Sequence, residues 1–357
     1  MQKRLLSATD NSSITLFQNN RNWCQIKDEW ISRVNAIHSS GIGQGGEMCS
    51  KFESTLALHF NRNFCISTAS CTDALTLSLF ALNLPAGSPV ATSNYTFTAT
   101  AHAIARAGHI PIPTDVDTNY CIDVSKIGNV KAVVAVDLFG NMCDWHKLSA
   151  LGIPVISDSA QSFESKDVAG FSGSKGITSC LSFSPSKTMS AWGSGGAILT
   201  DDPYIANTCK KLRLHGKLKN SDIAIGAGLN SMMSSAEIVA VTIAMQHADE
   251  WLLRRKKIAE YITGVAKCEC VNDFTLPSNS LHKLVFKDAS RTHWMEQLFN
   301  DNISSTIHYE TLINDEHLYH MLVDVSMSEK LRDTSFTVPN QHTLTDDEVE
   351  RIAKALT

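Results

Sequence analysis

The sequence predicts an α/β fold, a mainly parallel sheet covered by helices, with a smaller α+β domain at its C-terminal end. Three observations predict it. Up to about residue 235, short apolar runs alternate with helix-period stretches, the order that builds βαβ units. Beyond that point the alternation gives way to one long helical tract and shorter mixed segments. A chain of 357 residues with 43% hydrophobic content buries a large core, and such lengths usually divide in two.

Taken in order, "FCIST" (64–68) reads as a strand and "TDALTLSLFALN" (72–83) and "TATAHAIARAG" (98–108) as helices. "VKAVVAVDLFG" (130–140) is a strand, "MCDWHKLSALG" (142–152) a helix, and "IPVISDSA" (153–160), "SCLSFS" (179–184) and "GGAILTDD" (195–202) are strands. Residues 234–267 read as a single helical tract with room for a bend. Thr345 followed three residues later by Glu348 has the spacing of a capping box and opens the last helix. These assignments place a large domain at 1–247, including an N-terminal segment 1–40, and a small one at 248–357.

A formal net charge of −5 and the lack of any lysine/arginine block speak against a nucleic-acid partner, while small acidic or phosphorylated ligands stay compatible. No stretch approaches the roughly 20 apolar residues that span a bilayer, and the start turns polar before a signal-type apolar region develops, so a cytoplasmic location is expected. Ten scattered cysteines without a C-x-x-C pair read as reduced, mostly buried thiols.

Several motifs fail on inspection. "GIGQGG" (41–46) satisfies G-x-G-x-x-G, but no clear strand precedes it and residue 61, where an acid would hold a ribose, is Asn61. No phosphate-binding G-x-x-x-x-G-K-[ST] exists. His317 and His320 share a helix-like spacing but have no third metal ligand nearby, and residues 193–197 match a serine-hydrolase elbow only if Ala197 stands for glycine.

"SFSPSKTMSAWGSGG" (182–196) sets Lys187 among six serines and threonines and three glycines. A lysine becomes a covalent catalyst by condensing with a carbonyl, and the commonest such partner held by an enzyme is pyridoxal phosphate. That cofactor needs an amine, a carboxylate at its ring nitrogen, donors for its phosphate and a flat group against its ring. Asp158 ends the strand "IPVISD", at the edge where open α/β sheets bind ligands, although an aspartate there also suits a helix cap. "ASCTDAL" (69–75) follows a strand and opens a helix, whose first N–H groups form an anion site with Thr72 adding a hydroxyl; a cap that binds nothing is the plainer reading. Ser182 is a further phosphate donor.

With these residues in view, the chain resembles the DegT/DnrJ/EryC1/StrS sugar aminotransferases from about residue 40 to the C-terminus. "SCTDAL", "SNYTFTATAHAIARAGHIPIPTDVD", "DSAQSF", "SFSPSK…GSGGAILTDD", "LRLHGK" and "GLNSMMSSAEIVAV" are similar to that family's motifs in the same order, and His308-Tyr309 stands where the family often has H-Y. The resemblance implies the fold type I, aspartate-aminotransferase-like architecture with a seven-stranded, mainly parallel sheet. It implies pyridoxal 5′-phosphate, cycling through pyridoxamine 5′-phosphate, as cofactor. Lys187 would bind it covalently, Asp158 would face its ring nitrogen, Gln161 its ring hydroxyl and Phe97 its ring face. Thr72, Cys71, the Asp73 backbone N–H and Ser182 would form the phosphate loop. Asn230 would reach the phosphate of a partner subunit, which implies a homodimer with shared sites.

Four residues depart from the family pattern: Cys71 for glycine, Met232 for arginine, Ser159 for alanine and Glu164 commonly for glycine. The resemblance further implies glutamate as donor and a nucleotide-linked keto sugar as acceptor, for which dTDP-4-keto-6-deoxy-D-glucose is the expectation, feeding a surface polysaccharide or glycoside. Arg213, His215, Lys217, His308 and Tyr309 are expected around its pyrophosphate and sugar. A UDP-linked or 3-keto sugar, or an inactive regulatory scaffold, is the alternative.

Overall fold

The computed structural model describes residues 13–217, 223–224, 226–316, 319, 321 and 323–357. His317 and His320, the pair with metal-like spacing, lie outside the described residues. The chain begins with helices α1 (Asn19–Ser40) and α2 (Gly46–His59). It continues through β1 (Phe64–Thr68), α3 (Cys71–Ala81), β2 (Pro89–Ser93), α4 (Ala99–Arg106), β3 (Ile110–Thr114), β4 (Ala132–Val136), α5 (Trp145–Ser149) and β5 (Val155–Asp158). A short hairpin of β6 (Lys166–Asp167) and β7 (Gly170–Phe171) precedes β8 (Thr178–Ser182), β9 (Gly196–Thr200) and α6 (Pro203–Leu212).

The main sheet has seven strands in the order β1-β9-β8-β5-β4-β2-β3, and only β9 runs against its neighbours. Strands β4, β8 and β9 are buried throughout, as expected where both faces of a parallel sheet are covered. The five strands read from sequence are all present, with Phe64–Thr68 matching "FCIST" at both ends. The sequence reading did not assign β2 and β3. Pro111 and Pro113 disguise β3, yet they suit it, because β3 is an edge strand and proline there removes an N–H that no neighbouring strand would use.

The tract 234–267 is two helices, α7 (Ser235–Gln246) and α8 (Ala248–Val265), broken at His247 (φ −102°, ψ 2°). α7 is apolar on nearly every side and lies in the core, whereas α8 presents its charged face to solvent. Then β10 (Glu269–Cys270), β11 (Leu284–Lys287), α9 (Arg291–Asn300), α10 (Ser326–Thr334), β12 (Ser335–Val338) and α11 (Asp346–Lys354) follow, with β10-β11-β12 forming a separate antiparallel sheet. That sheet shares an apolar core with α8, α9 and α11. The capping box at Thr345 forms as read: Thr345 Oγ1 accepts from Glu348 N, and the Glu348 carboxylate accepts from Thr345 N. All ten cysteines are free and eight of them are buried. Among the described residues no helix is long and apolar enough to cross a membrane.

Candidate active site

The carboxyl ends of β1, β5 and β8 open into one cavity of about 350 Å³, lined by Lys187, Asp158, Gln161, Phe97, Thr72 and residues from the C-terminal third. This is where open parallel sheets place ligands. The loop between β8 and β9 that carries Lys187 is pinched shut by Phe183 N donating to Gly195 O (2.8 Å) and Ala191 N donating to Phe183 O (2.7 Å). Buried Phe183 and Met189 root it in the core, and Trp192 packs at a tilt against Trp23 of α1 with centroids 4.3 Å apart.

Asp158 is buried at the end of β5. Its Oδ2 accepts from Thr100 Oγ1 (2.9 Å) and its Oδ1 from Ala160 N (3.2 Å). No helix starts behind it, so the capping alternative is not realised. Burial raises its pKa, with Thr100, Ala160 and the charge of Lys187 opposing. Burial lowers that of Lys187, with Cys71 and Asp158 opposing. The two face the same cavity without forming an ion pair, and among the described residues no hydrogen bond reaches Lys187 Nζ. An amine and an acid held apart across a space, each without the other, fit the two ends of a bound pyridine-type cofactor.

Gln161 is fixed on three sides. Its Oε1 accepts from Phe139 N (3.1 Å), its Nε2 donates to Tyr309 Oη (2.9 Å), and His282 Nδ1 lies 3.0 Å from Oε1. Phe97, more than half exposed, stands at the mouth with its ring centroid 5.8 Å from that of Tyr309. His308 and Tyr309 also line the cavity, and His308 Nδ1 sits 2.9 Å from Thr337 Oγ1.

The anion end is the start of α3. Ser70 caps it, its Oγ accepting from Asp73 N (3.1 Å), so the Asp73 N–H assigned to phosphate is engaged by the cap and Asp73 lies off the cavity wall. The Asp73 carboxylate is held by Ser231 Oγ (2.8 Å) and Arg106 (3.2 Å). Cys71, Thr72 and Ser182 line the cavity. Cys71 is a buried thiol whose pKa burial drives well above the ordinary value. Gly196 lets β9 approach this helix start: a Cβ there would meet Ser70 C at 2.5 Å and Cys71 N at 2.6 Å.

Three expected substrate contacts lie elsewhere. Arg213 is buried, its Nη1 donating to Glu53 Oε1 (2.5 Å) and to Ser67 O (2.7 Å), which makes it an internal tie between α2, β1 and the end of α6. With its charge matched by Glu53 inside the protein, it is not presented to a ligand in the cavity. His215 is exposed at φ +57° and also outside the cavity wall, as is Lys217. Asn230 is exposed and bridges to Leu214.

The sequence reading missed His282 and Lys283, which line the cavity just before β11. Two of the departures acquire partners. Glu164 receives Arg255 Nη2 of α8 (2.6 Å) and Thr188 Oγ1 (2.8 Å), tying the segment after β5 to the residue next to Lys187. Ser159 joins Ser157, Ser172 and Ser179 in a hydroxyl chain beneath the site.

The model of the DegT/DnrJ/EryC1/StrS aminotransferase family matches residues 24–357. The chain belongs to this family. Among curated relatives, a UDP-2-acetamido-2-deoxy-3-oxo-D-glucuronate aminotransferase of Pseudomonas aeruginosa is 31% identical, over 66% of this chain and 69% of its own. A dTDP-3-amino-3,6-dideoxy-alpha-D-galactopyranose transaminase of Aneurinibacillus thermoaerophilus is 28% identical, over 90% and 93%. A solved DegT DnrJ EryC1 StrS aminotransferase from Brucella abortus has the same fold, with TM-score 0.91, 23% identity and coverage of 96% and 98%.

Proposed function

We propose that this family member transfers an amino group from glutamate to a nucleotide-linked keto sugar, using pyridoxal 5′-phosphate held by Lys187 and Asp158. The observation that carries the reading is the convergence of Lys187, Asp158 and Gln161 on one cavity whose far end is a helix start. The same convergence disfavours an inactive scaffold. Bound there, pyridoxal phosphate supplies a carbonyl for amines and a ring that withdraws electrons from the carbon losing its proton.

The chain's own residues do the rest. Lys187, whose amine burial makes easier to deprotonate, takes the proton from the donor's α-carbon and returns one to the acceptor's sugar carbon in the reverse half-reaction. Asp158, steadied by Thr100 and Ala160, keeps a proton on the ring nitrogen. Gln161 orients the ring hydroxyl. Cys71, Thr72 and Ser182 surround the phosphate, with the Asp73 N–H retained by Ser70. Asn230, exposed on this chain, completes the phosphate site of a second copy in a homodimer. His308 and Tyr309 face the sugar. The division at residue 247 belongs to the same reading, since the helical tract breaks at His247.

The "SCTDAL" loop favours a dTDP-linked 4-keto-6-deoxy sugar, whereas both relatives named above are described by 3-oxo or 3-amino sugars. The test is a purified protein whose visible absorbance glutamate bleaches, followed by turnover on dTDP-, UDP- and GDP-linked 4-keto sugars and 3-keto analogues. Lys187→Ala is expected to stay folded and lose transamination. Turnover of that variant near the wild-type rate overturns the reading, and a preference above about tenfold, or about 1.4 kcal/mol, for a 3-keto sugar moves the carbon.

A further inference from the structure

Lys283 is only 8% exposed, yet among the described residues no hydrogen bond or ion pair reaches its Nζ. The Phe17 ring lies over it, its centroid 4.1 Å from Nζ. A lysine withdrawn this far from solvent normally meets an anion, and the Lys283 side chain opens onto the cavity instead. It lines the same cavity as Lys187, and burial together with the charge of Lys187 pushes the Lys283 pKa well down.

A second observation points the same way. His282 Nδ1 faces Gln161 Oε1 at 3.0 Å and its Nε2 faces Ser186 O at 3.0 Å. Phe139 N donates to Gln161 Oε1, which fixes that atom as the amide oxygen, so both imidazole nitrogens look at acceptors. Only the doubly protonated ring can donate to both. Burial, with the charges of Lys283 and Lys187, nevertheless drives its pKa well below the ordinary value. An anion at Lys283 would offset the charge that opposes the protonated ring.

We propose, resting on the aminotransferase reading above, that Lys283 with His282 behind it forms a carboxylate-binding corner beside Lys187, which recognises an acid group close to the reacting carbon of a substrate. The α-carboxylate of an amino-acid donor lies one bond from that carbon. A uronate acceptor carries the same group on its sugar ring. A nucleotide pyrophosphate is farther out and does not require a cation at this depth. Phe17 closes the corner on the solvent side and keeps the lysine stem dry.

The test uses the cofactor-loaded enzyme and separate half-reactions. In the donor arm glutamate bleaches the visible band; in the acceptor arm keto sugars with and without a C6 carboxylate restore it. Lys283→Met is expected to raise the half-saturating concentration of the carboxylate-bearing reactant about tenfold or more, the loss typical of a hydrogen bond to a charged group. The limiting rate is expected to change by less than about threefold, because uniform binding and not the chemical step is lost. Lys283→Arg is expected to recover most of the affinity, and inorganic sulfate to compete with the reactant in the wild type and in the Arg variant but not in the Met variant. A shift confined to glutamate assigns the corner to the donor, and one confined to the uronate assigns it to the acceptor. The Met variant is expected to melt no lower than the wild type, since a buried charge is removed; should it not fold, Lys283→Gln is carried through the same two arms. Unchanged half-saturation in both arms overturns the inference. A wild type with no band that any amino acid bleaches overturns the aminotransferase reading instead.

Discussion

Asp137 lies one strand away from Asp158 and shows what burial does to a carboxyl that no cation among the described residues answers. It accepts from Cys143 N (2.8 Å), Trp145 Nε1 (3.2 Å) and Ser172 Oγ (2.5 Å), yet burial raises its pKa to about 6. The folded protein therefore binds this proton more tightly than the unfolded chain, whose carboxyl titrates near 3.8. The sign follows: its contribution to stability is greatest below about pH 4, falls as pH rises to about 6, and is level above that, a change of about 3 kcal/mol at about 1.4 kcal/mol per pH unit. Urea unfolding of Asp137→Asn and wild type at pH 4 and pH 7 checks it. The variant is expected to gain on the wild type between the two pH values by roughly that amount, and equal changes in both proteins would refute it.

Among elements, the contact between β9 and the start of α3 sets the shape of the anion end. Gly196 leaves no room for a Cβ against the Ser70 and Cys71 backbone, whereas a Cβ at Gly195 would press on the end of the Met233 side chain, Cε at 2.6 Å and Sδ at 3.0 Å, with Phe183 Cβ at 3.4 Å. Backbone cannot yield as a flexible methionine can. Gly196→Ala is expected to cost about 1–3 kcal/mol through overpacking and, by displacing Cys71 and Thr72, to raise the cofactor dissociation constant about tenfold or more. Gly195→Ala is expected to do markedly less of both. Denaturation and cofactor titration of the pair check the order, which a comparable effect of the two would contradict.

For the whole molecule, the question is whether one chain completes a site. Asn230 does not line its own chain's cavity, which is what a residue serving a second copy requires. Mixing an inactive Lys187→Ala protein with an inactive Asn230→Ala protein is expected to restore one site in each mixed dimer, hence about a quarter of all sites after random exchange. Activity that stays at zero after exchange, or a monomer in sedimentation at assay concentration, would refute sharing.

The sequence by itself determined the alternation of strands and helices, the seven-stranded sheet through its likeness to a family, and the placing of Lys187, Asp158 and Gln161. Lys187 and Asp158 stand out locally, as a lysine in a hydroxyl-rich loop and an acid ending an apolar strand, but their roles, and Gln161 altogether, come from the order of motifs shared with the family. The capping box at Thr345 and Glu348 is wholly local. Edge strand β3 escaped because Pro111 and Pro113 disguise it, and only the sheet order shows that their missing N–H groups fall on an outer edge. Arg213 reads as an available cation until Glu53, 160 residues earlier, folds against it. His282 and Lys283 carry no local mark at all, because what makes them notable is that no anion among the described residues reaches Lys283 Nζ and that two acceptors face His282. Such facts belong to pairs and enclosures, which burial and long-range packing create and which no stretch of sequence contains.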